Sequence, residues 1–232
     1  MTMQKGEKMI GLVIALKKEA EKLLSIANDI NKVKLADKEA YECSLLNKKC
    51  IIAISGIGKV SSALTTQLLI DKYNIDFILN FGTCGGMNQT VKIKNYYAVS
   101  KCCQYDFDLT ELDPVPLGYI QDYDRVFFDC YTTGIDFLEK TVLASADKFT
   151  NKNIDVKTVN EMGCSLCDME GSAIAQVCTS NSIPLVMVKG ITDVYGSQTA
   201  PEQFMENLTE VSNGFPEVIL KVIENVSKSL KI

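Results

Sequence analysis

Apolar residues in this chain gather in short unbroken runs, and each run stops at a glycine, a small residue or a charge. Residues 9–15 (Met-Ile-Gly-Leu-Val-Ile-Ala) are such a run, and 50–54, 76–80, 97–103, 140–146 and 184–189 read as further strands. Runs of this length without alternation are expected of strands buried on both faces. Between them the period changes. Residues 16–31 predict an amphipathic helix, with Leu23, Leu24, Ile26 and Ala27 on the dry side and Lys17, Lys18, Glu21 and Lys22 on the wet side. Residues 60–73 and 170–179 predict two more helices, the second with Ala173, Ile174 and Val177 on one face. Residues 201–230 are helical in pattern, with a break expected near Gly214 and Pro216. The charged stretch 32–47 predicts short antiparallel strands. Residues 104–125, rich in Asp, Pro and Tyr, predict a long loop of the kind that often carries function.

The recurrence of strand, glycine turn and helix predicts an α/β fold with a largely parallel central sheet. No linker, repeat or low-complexity segment divides the chain, so residues 1–232 are expected to form one domain behind a short polar tail, residues 1–8. In open α/β sheets, ligands bind beyond the carboxyl ends of the strands. Polar and glycine-rich residues collect at those ends here, after Ala15, Ile54, Asn80, Ala146, Met169 and Gly190. Three of them are carboxylates: Glu19, Glu170 and Asp193. Each has a local explanation as a favourable charge at a helix start or as a cap. Three at the same side of one sheet predict a single pocket instead. The turns Ser55-Gly-Ile-Gly-Lys59 and Thr83-Cys-Gly-Gly86 match no nucleotide-binding fingerprint, and each alone reads as a tight turn.

Composition narrows the chemistry. The chain has 232 residues and a net charge of −5, with one arginine, Arg125, and no histidine. Without a basic stripe, nucleic acid is not an expected partner. No apolar run is long enough for a membrane span. One arginine also makes a phosphate site less expected. Acid–base work must fall to Asp, Glu, Lys, Cys or Tyr. The nine cysteines are scattered and odd in number, and the polar start predicts no leader peptide; free thiols in a reducing cytoplasm are expected. Cys164-Ser-Leu-Cys167 has metal-ligand spacing but no second half of a zinc site, so no metal or other cofactor is expected.

Taken in order, Ile10-Gly-Leu-Val-Ile-Ala-Leu-Lys-Lys-Glu19, Ser55–Lys59, Asn80-Phe-Gly-Thr-Cys-Gly-Gly86, Asp168-Met-Glu170 and Ile191-Thr-Asp193 resemble the 5′-methylthioadenosine/S-adenosylhomocysteine nucleosidases of the nucleoside phosphorylase superfamily. The resemblance runs from about Met9 to the C-terminus. It implies a three-layer α/β/α sandwich around a mixed, partly barrel-like sheet, and a homodimer. It implies an N-glycosidase with a purine nucleoside and water as substrates. It places the water-activating role on Glu19, the ribose hydroxyls on Met169 and Glu170, purine N7 on Asp193 and base stacking on Phe149. Thr83 takes the place of a serine, beside Cys84 and Gly85. The chain departs from the family at Leu16 (commonly Met), Lys189 (commonly Arg), Cys84 (commonly Ala) and across residues 144–149. The loop 104–125 would help to close the pocket for the 5′-substituent, often across the dimer, with Leu112, Pro116 and Tyr119 as lining candidates. A phosphorylase, a futalosine-type nucleosidase and a non-catalytic nucleoside binder are the alternatives.

Overall fold

The computed structural model describes residues 7–196 and 200–232, so most of the expected polar tail lies outside the described residues. Its centre is one ten-stranded sheet. Strands β1 (Lys8–Ile14), β4 (Lys48–Ile54), β5 (Asn74–Gly86) and β10 (Leu185–Val194) run parallel side by side in the order β4-β1-β5-β10. The antiparallel β2 (Asn28–Leu35) and β3 (Lys38–Leu45) extend the sheet beyond β4. On the other side the sheet closes on itself. β10 pairs with β6 (Tyr96–Gln104), β6 with β8 (Glu139–Ser145), β8 with β9 (Leu166–Asp168), and β9 returns to the last residues of β5. A five-stranded ring therefore carries a four-stranded wing. A short β7 (Phe128–Asp129) pairs only with β6.

The unbroken apolar runs have the expected cause. In β1, Ile10, Leu12 and Ile14 point to one buried face and Val13 to the other. Helices α1 (Lys17–Leu24) and α5 (Ala200–Leu230) cover the first face through Ala20, Leu23, Phe215, Ile219 and Val222. Helices α2 (Lys59–Lys72) and α4 (Gly171–Ser180) cover the second through Leu69, Ile70, Ile174 and Cys178. This is a three-layer α/β/α arrangement. A smaller cluster seats α3 (Asn153–Glu161) against the ring through Val156 and Val159.

Several boundaries differ from the pattern reading. The helix expected over 16–31 ends at Leu24, and Asn28 already begins β2. Asp29 there adopts φ 54°, which no helix tolerates. The strand expected to stop at Asn80 runs on to Gly86, and that at 184–189 runs on to Val194. Helix α5 runs through Pro216 without the expected break. Pro216 cannot donate to the carbonyl of Ser212, and its ring crowds that turn. Tyr96 packs against the same turn: its hydroxyl donates to the Val211 carbonyl at 2.6 Å, and a Cβ at Gly214 would lie 2.0 Å from the tyrosine oxygen. Helix α3 was not expected, because only Val156 and Val159 give it a buried stripe. All nine cysteines are free thiols. No described helix is long and apolar enough to cross a membrane.

Candidate active site

Glu19 lies in the first turn of α1, straight after β1. Its Oε1 accepts hydrogen bonds from the Thr83 backbone N–H and the Thr83 hydroxyl, both at 2.7 Å, and its Oε2 accepts from Leu16 N–H at 3.1 Å. The carboxylate packs over Gly82, where a Cβ would lie 3.2 Å from Oε1. This is why a glycine stands in the middle of β5. Burial raises the Glu19 pKa above the usual glutamate value; the three donors and the Lys189 charge oppose that rise without cancelling it.

Glu170 stands at the start of α4. Its Oε1 accepts from Gly58 N–H at 2.8 Å, so the glycine turn after β4 serves to hold this carboxylate. Burial, with the nearby Asp168 charge, pushes its pKa up to about 7 against the pull of Lys189 and the Gly58 N–H. Beneath it sits a buried ion pair, Lys189 Nζ to Asp168 Oδ2 at 2.9 Å, with both side chains almost fully enclosed. Asp168 also accepts from the Ser145 hydroxyl at 2.6 Å and from Gly171 N–H at 2.9 Å. Burial pulls the Lys189 pKa down, but the charges of Asp168 and Glu170 outweigh it and the net shift is upward. Lys189 is therefore a fixed cation among three carboxylates. Lys189→Met should leave Asp168 charged and uncompensated, costing about 3 kcal/mol of stability. Chemical denaturation checks this, and adding Asp168→Asn should recover part of the loss. An unchanged unfolding midpoint would show that the pair does not stabilise the fold.

Asp193 lies near the end of β10. Its Oδ1 accepts from the Thr192 hydroxyl at 2.7 Å, and its Oδ2 packs over Gly85, whose missing Cβ would stand 3.0 Å away. Burial raises its pKa to about 6, and the Thr192 bond restrains the rise. The late glycines of β5 thus give room to both Glu19 and Asp193.

These groups open into one cavity of about 370 Å³. Of the residues expected at the site, Glu19, Thr83, Cys84, Gly85, Phe149, Met169, Glu170 and Asp193 all line it. Phe149 hangs at its mouth, 44% exposed, with its ring edge-on to Phe204 at 6.2 Å. Leu112, Pro116 and Tyr119 do not line the cavity of their own chain, and Leu112 is 80% exposed. Pattern reading missed Thr150, Asp168, Phe204 and Met205. Asp168 was legible as a fourth carboxylate, two residues before Glu170; Phe204 and Met205 carried no signal beyond membership of a helix. No group of three or more His, Cys, Asp or Glu among the described residues could hold a metal ion.

Buried carboxylates with raised pKa values around an apolar cavity are the makings of a hydrolytic acid–base site. The sequence profile of the Phosphorylase superfamily matches residues 9–224. The chain belongs to the phosphorylase superfamily. Within that superfamily it groups with the 5′-methylthioadenosine/S-adenosylhomocysteine nucleosidases. One from Buchnera aphidicola (subspecies Acyrthosiphon pisum, strain Tuc7) is 31% identical over 229 residues, 94% of this chain and 98% of the relative. The Helicobacter pylori nucleosidase of that name, crystallised with a substituted pyrrolidin-3-ol, superimposes with a TM-score of 0.86 at 26% identity, covering 95% of this chain and all of that one. Futalosine hydrolase of the same organism also superimposes with a TM-score of 0.86, at 25% identity and with 94% and 98% of the two chains covered. The superfamily fold thus accommodates both 5′-thio nucleosides and futalosine in relatives of this chain.

Proposed function

We propose that this superfamily member hydrolyses the N-glycosidic bond of 5′-methylthioadenosine or S-adenosylhomocysteine, releasing adenine and the thioribose. The observation that carries the reading is the pairing of Glu19 and Asp193 in one mainly apolar cavity. Glu19, ionised, takes a proton from water as the oxygen adds to C1′. Asp193, protonated, gives a proton to the purine as the C1′–N9 bond breaks. Positive charge builds on the ribose in between, and the Glu170 carboxylate is placed to stabilise it. The raised pKa of Asp193 supports the acid role in a chain without histidine.

The geometry favours water over phosphate. The Thr83 N–H and hydroxyl, which could have held an anion, are occupied by the Glu19 carboxylate. The single arginine, Arg125, donates to the Tyr123 carbonyl and does not line the cavity. Free-base release from methylthioadenosine, adenosylhomocysteine, adenosine, inosine and futalosine, with and without phosphate, tests the reading. Adenine without phosphate supports it. Release only with phosphate makes the protein a phosphorylase. Preference for futalosine, which the equal structural match to a futalosine hydrolase motivates testing, moves the substrate away from the 5′-thio nucleosides. Binding without turnover makes it a nucleoside binder.

The same reading includes a homodimer in a reducing cytoplasm. Ile57, Val60 and Leu64 leave an apolar stripe exposed beside the cavity mouth, with Val60 at 79% exposure. A second copy on this stripe would let Leu112 and Pro116 approach the partner's cavity. Light scattering should give a dimer mass, and Val60→Asp with Leu64→Asp should give monomers. A monomeric parent protein would remove the dimer from the reading.

A further inference from the structure

Residues 146–152, which carry Phe149 over the cavity, have no helix or strand to hold them. Side chains hold them instead. Asp147 Oδ1 accepts from Lys59 N–H at 2.7 Å, and Asp147 N–H donates to Asp106 Oδ2 at 3.0 Å. Asp106 is fixed in turn by the Lys59 ammonium at 2.6 Å. Lys148 reaches Asp155 of α3 at 2.6 Å. The Thr150 hydroxyl lies between the Tyr105 hydroxyl at 2.6 Å and the Cys167 thiol at 3.0 Å. Asp147, Lys148 and Thr150 are each tied by a side chain, and between them the Phe149 ring lies over the cavity with only the edge of Phe204 against it.

The Tyr105 link differs from the other two. Asp147 and Lys148 are bound at the protein surface, where water competes. Tyr105, Thr150 and Cys167 are all buried. Their chain of hydroxyl, hydroxyl and thiol has no water to replace a lost partner. It joins the start of the 104–125 loop, the residue after Phe149 and the strand that leads into Glu170. Tyr105 itself is outside the cavity lining, so it acts on a bound molecule through its neighbours: its ring lies under the Lys148 ammonium at 5.1 Å, and its hydroxyl reaches Thr150 alone of the lining residues before and after Phe149.

We propose that Tyr105 is a positioning residue for the purine base. Its hydroxyl fixes Thr150 and thereby sets the pose of the Phe149 ring before a base arrives. A stacking ring held in place loses less freedom on binding than one that must first be ordered. This rests on the nucleosidase reading above and adds to it the element that prepares the base platform.

The test is a double-mutant cycle on adenine affinity, measured by calorimetry on the full chain, with the kinetics of methylthioadenosine hydrolysis alongside. Tyr105→Phe deletes one oxygen and should weaken adenine about fivefold, the size of one net buried hydrogen bond. KM should rise in parallel while kcat changes less than twofold, because Glu19 and Asp193 are untouched. In a Phe149→Ala background the same substitution should cost less than twofold, since the ring it positions is gone. A merely structural role would lower the melting temperature and move kcat and KM together, without regard to Phe149. If Tyr105→Phe is too unstable to assay, Thr150→Val removes the same hydrogen bond from its other side and should give the same dependence on Phe149. An undiminished fivefold loss in the Phe149→Ala background, or no loss in the single variant, overturns the proposal. A parent protein that binds no adenine overturns the nucleosidase reading itself, an outcome visible before any variant is made.

Discussion

Asp193→Asn is expected to lower kcat for methylthioadenosine hydrolysis at least about a thousandfold while nucleoside binding survives, in keeping with the loss of a placed general acid. An amide fills the same space over Gly85 and can still accept from the Thr192 hydroxyl, so the cavity keeps its shape. What it lacks is an acidic proton that it can transfer to the leaving base. The pH profile makes the claim specific. Asp193 must be protonated to act and its pKa is about 6, so kcat/KM should fall as pH rises through that value. Glu19 must be ionised, so kcat/KM should fall on the acid side as pH drops through a pKa above the usual glutamate value. The Glu170 carboxylate, with a pKa of about 7, must also be ionised and adds to the acid limb, and Asp193→Asn should erase the alkaline limb. A variant with near-normal turnover, or one that keeps the alkaline limb, would show that the acid lies elsewhere.

Glu19→Gln carries the second large effect, a loss of about a thousandfold in kcat with KM held near the parent value. Glu19 meets three donors and no acceptor. The glutamine oxygen can keep the Thr83 bonds, but its NH2 would then face the Leu16 N–H, donor against donor. A rotation of the α1 start by a few tenths of an ångström relieves this, so a small loss of stability should accompany the large loss of turnover. The two readouts separate chemistry from folding: kcat measured on protein that is still folded, and the unfolding midpoint. Retention of more than about a tenth of parental turnover would remove Glu19 from water activation.

Much of this site was legible before any coordinates, for a physical reason. Strands buried on both faces tolerate almost nothing polar, so a carboxylate at the end of such a run stands out; Glu19, Glu170 and Asp193 were found that way. The family resemblance then separated their roles, which spacing alone could not. Thr150 was illegible because its importance lies in two long-range partners, Tyr105 and Cys167, 45 and 17 residues away. Lys189 was legible only as a departure from the family; its pairing with Asp168 depends on the ring closing, which no local pattern encodes. Two strand ends failed at glycines. Gly82, Gly85 and Gly86 looked like a turn, yet they are strand residues kept bare to admit two carboxylates and the packing of Val91 and Val194. The helix expected over 16–31 failed because its last residues belong to an exposed strand whose period is weak.

That exposed strand has a consequence of its own. Closing β5, β9, β8, β6 and β10 into a ring leaves the sheet with one long unpaired border, the outer side of β2. An open border is where a foreign strand adds and where aggregation begins. Here it carries Lys32 and Lys34 and is interrupted by an irregular register between Asn28 and Asn31. Such features oppose the addition of a flat neighbouring strand. A chain that is 47% hydrophobic thus confines its templating hazard to eight residues and guards them with charge.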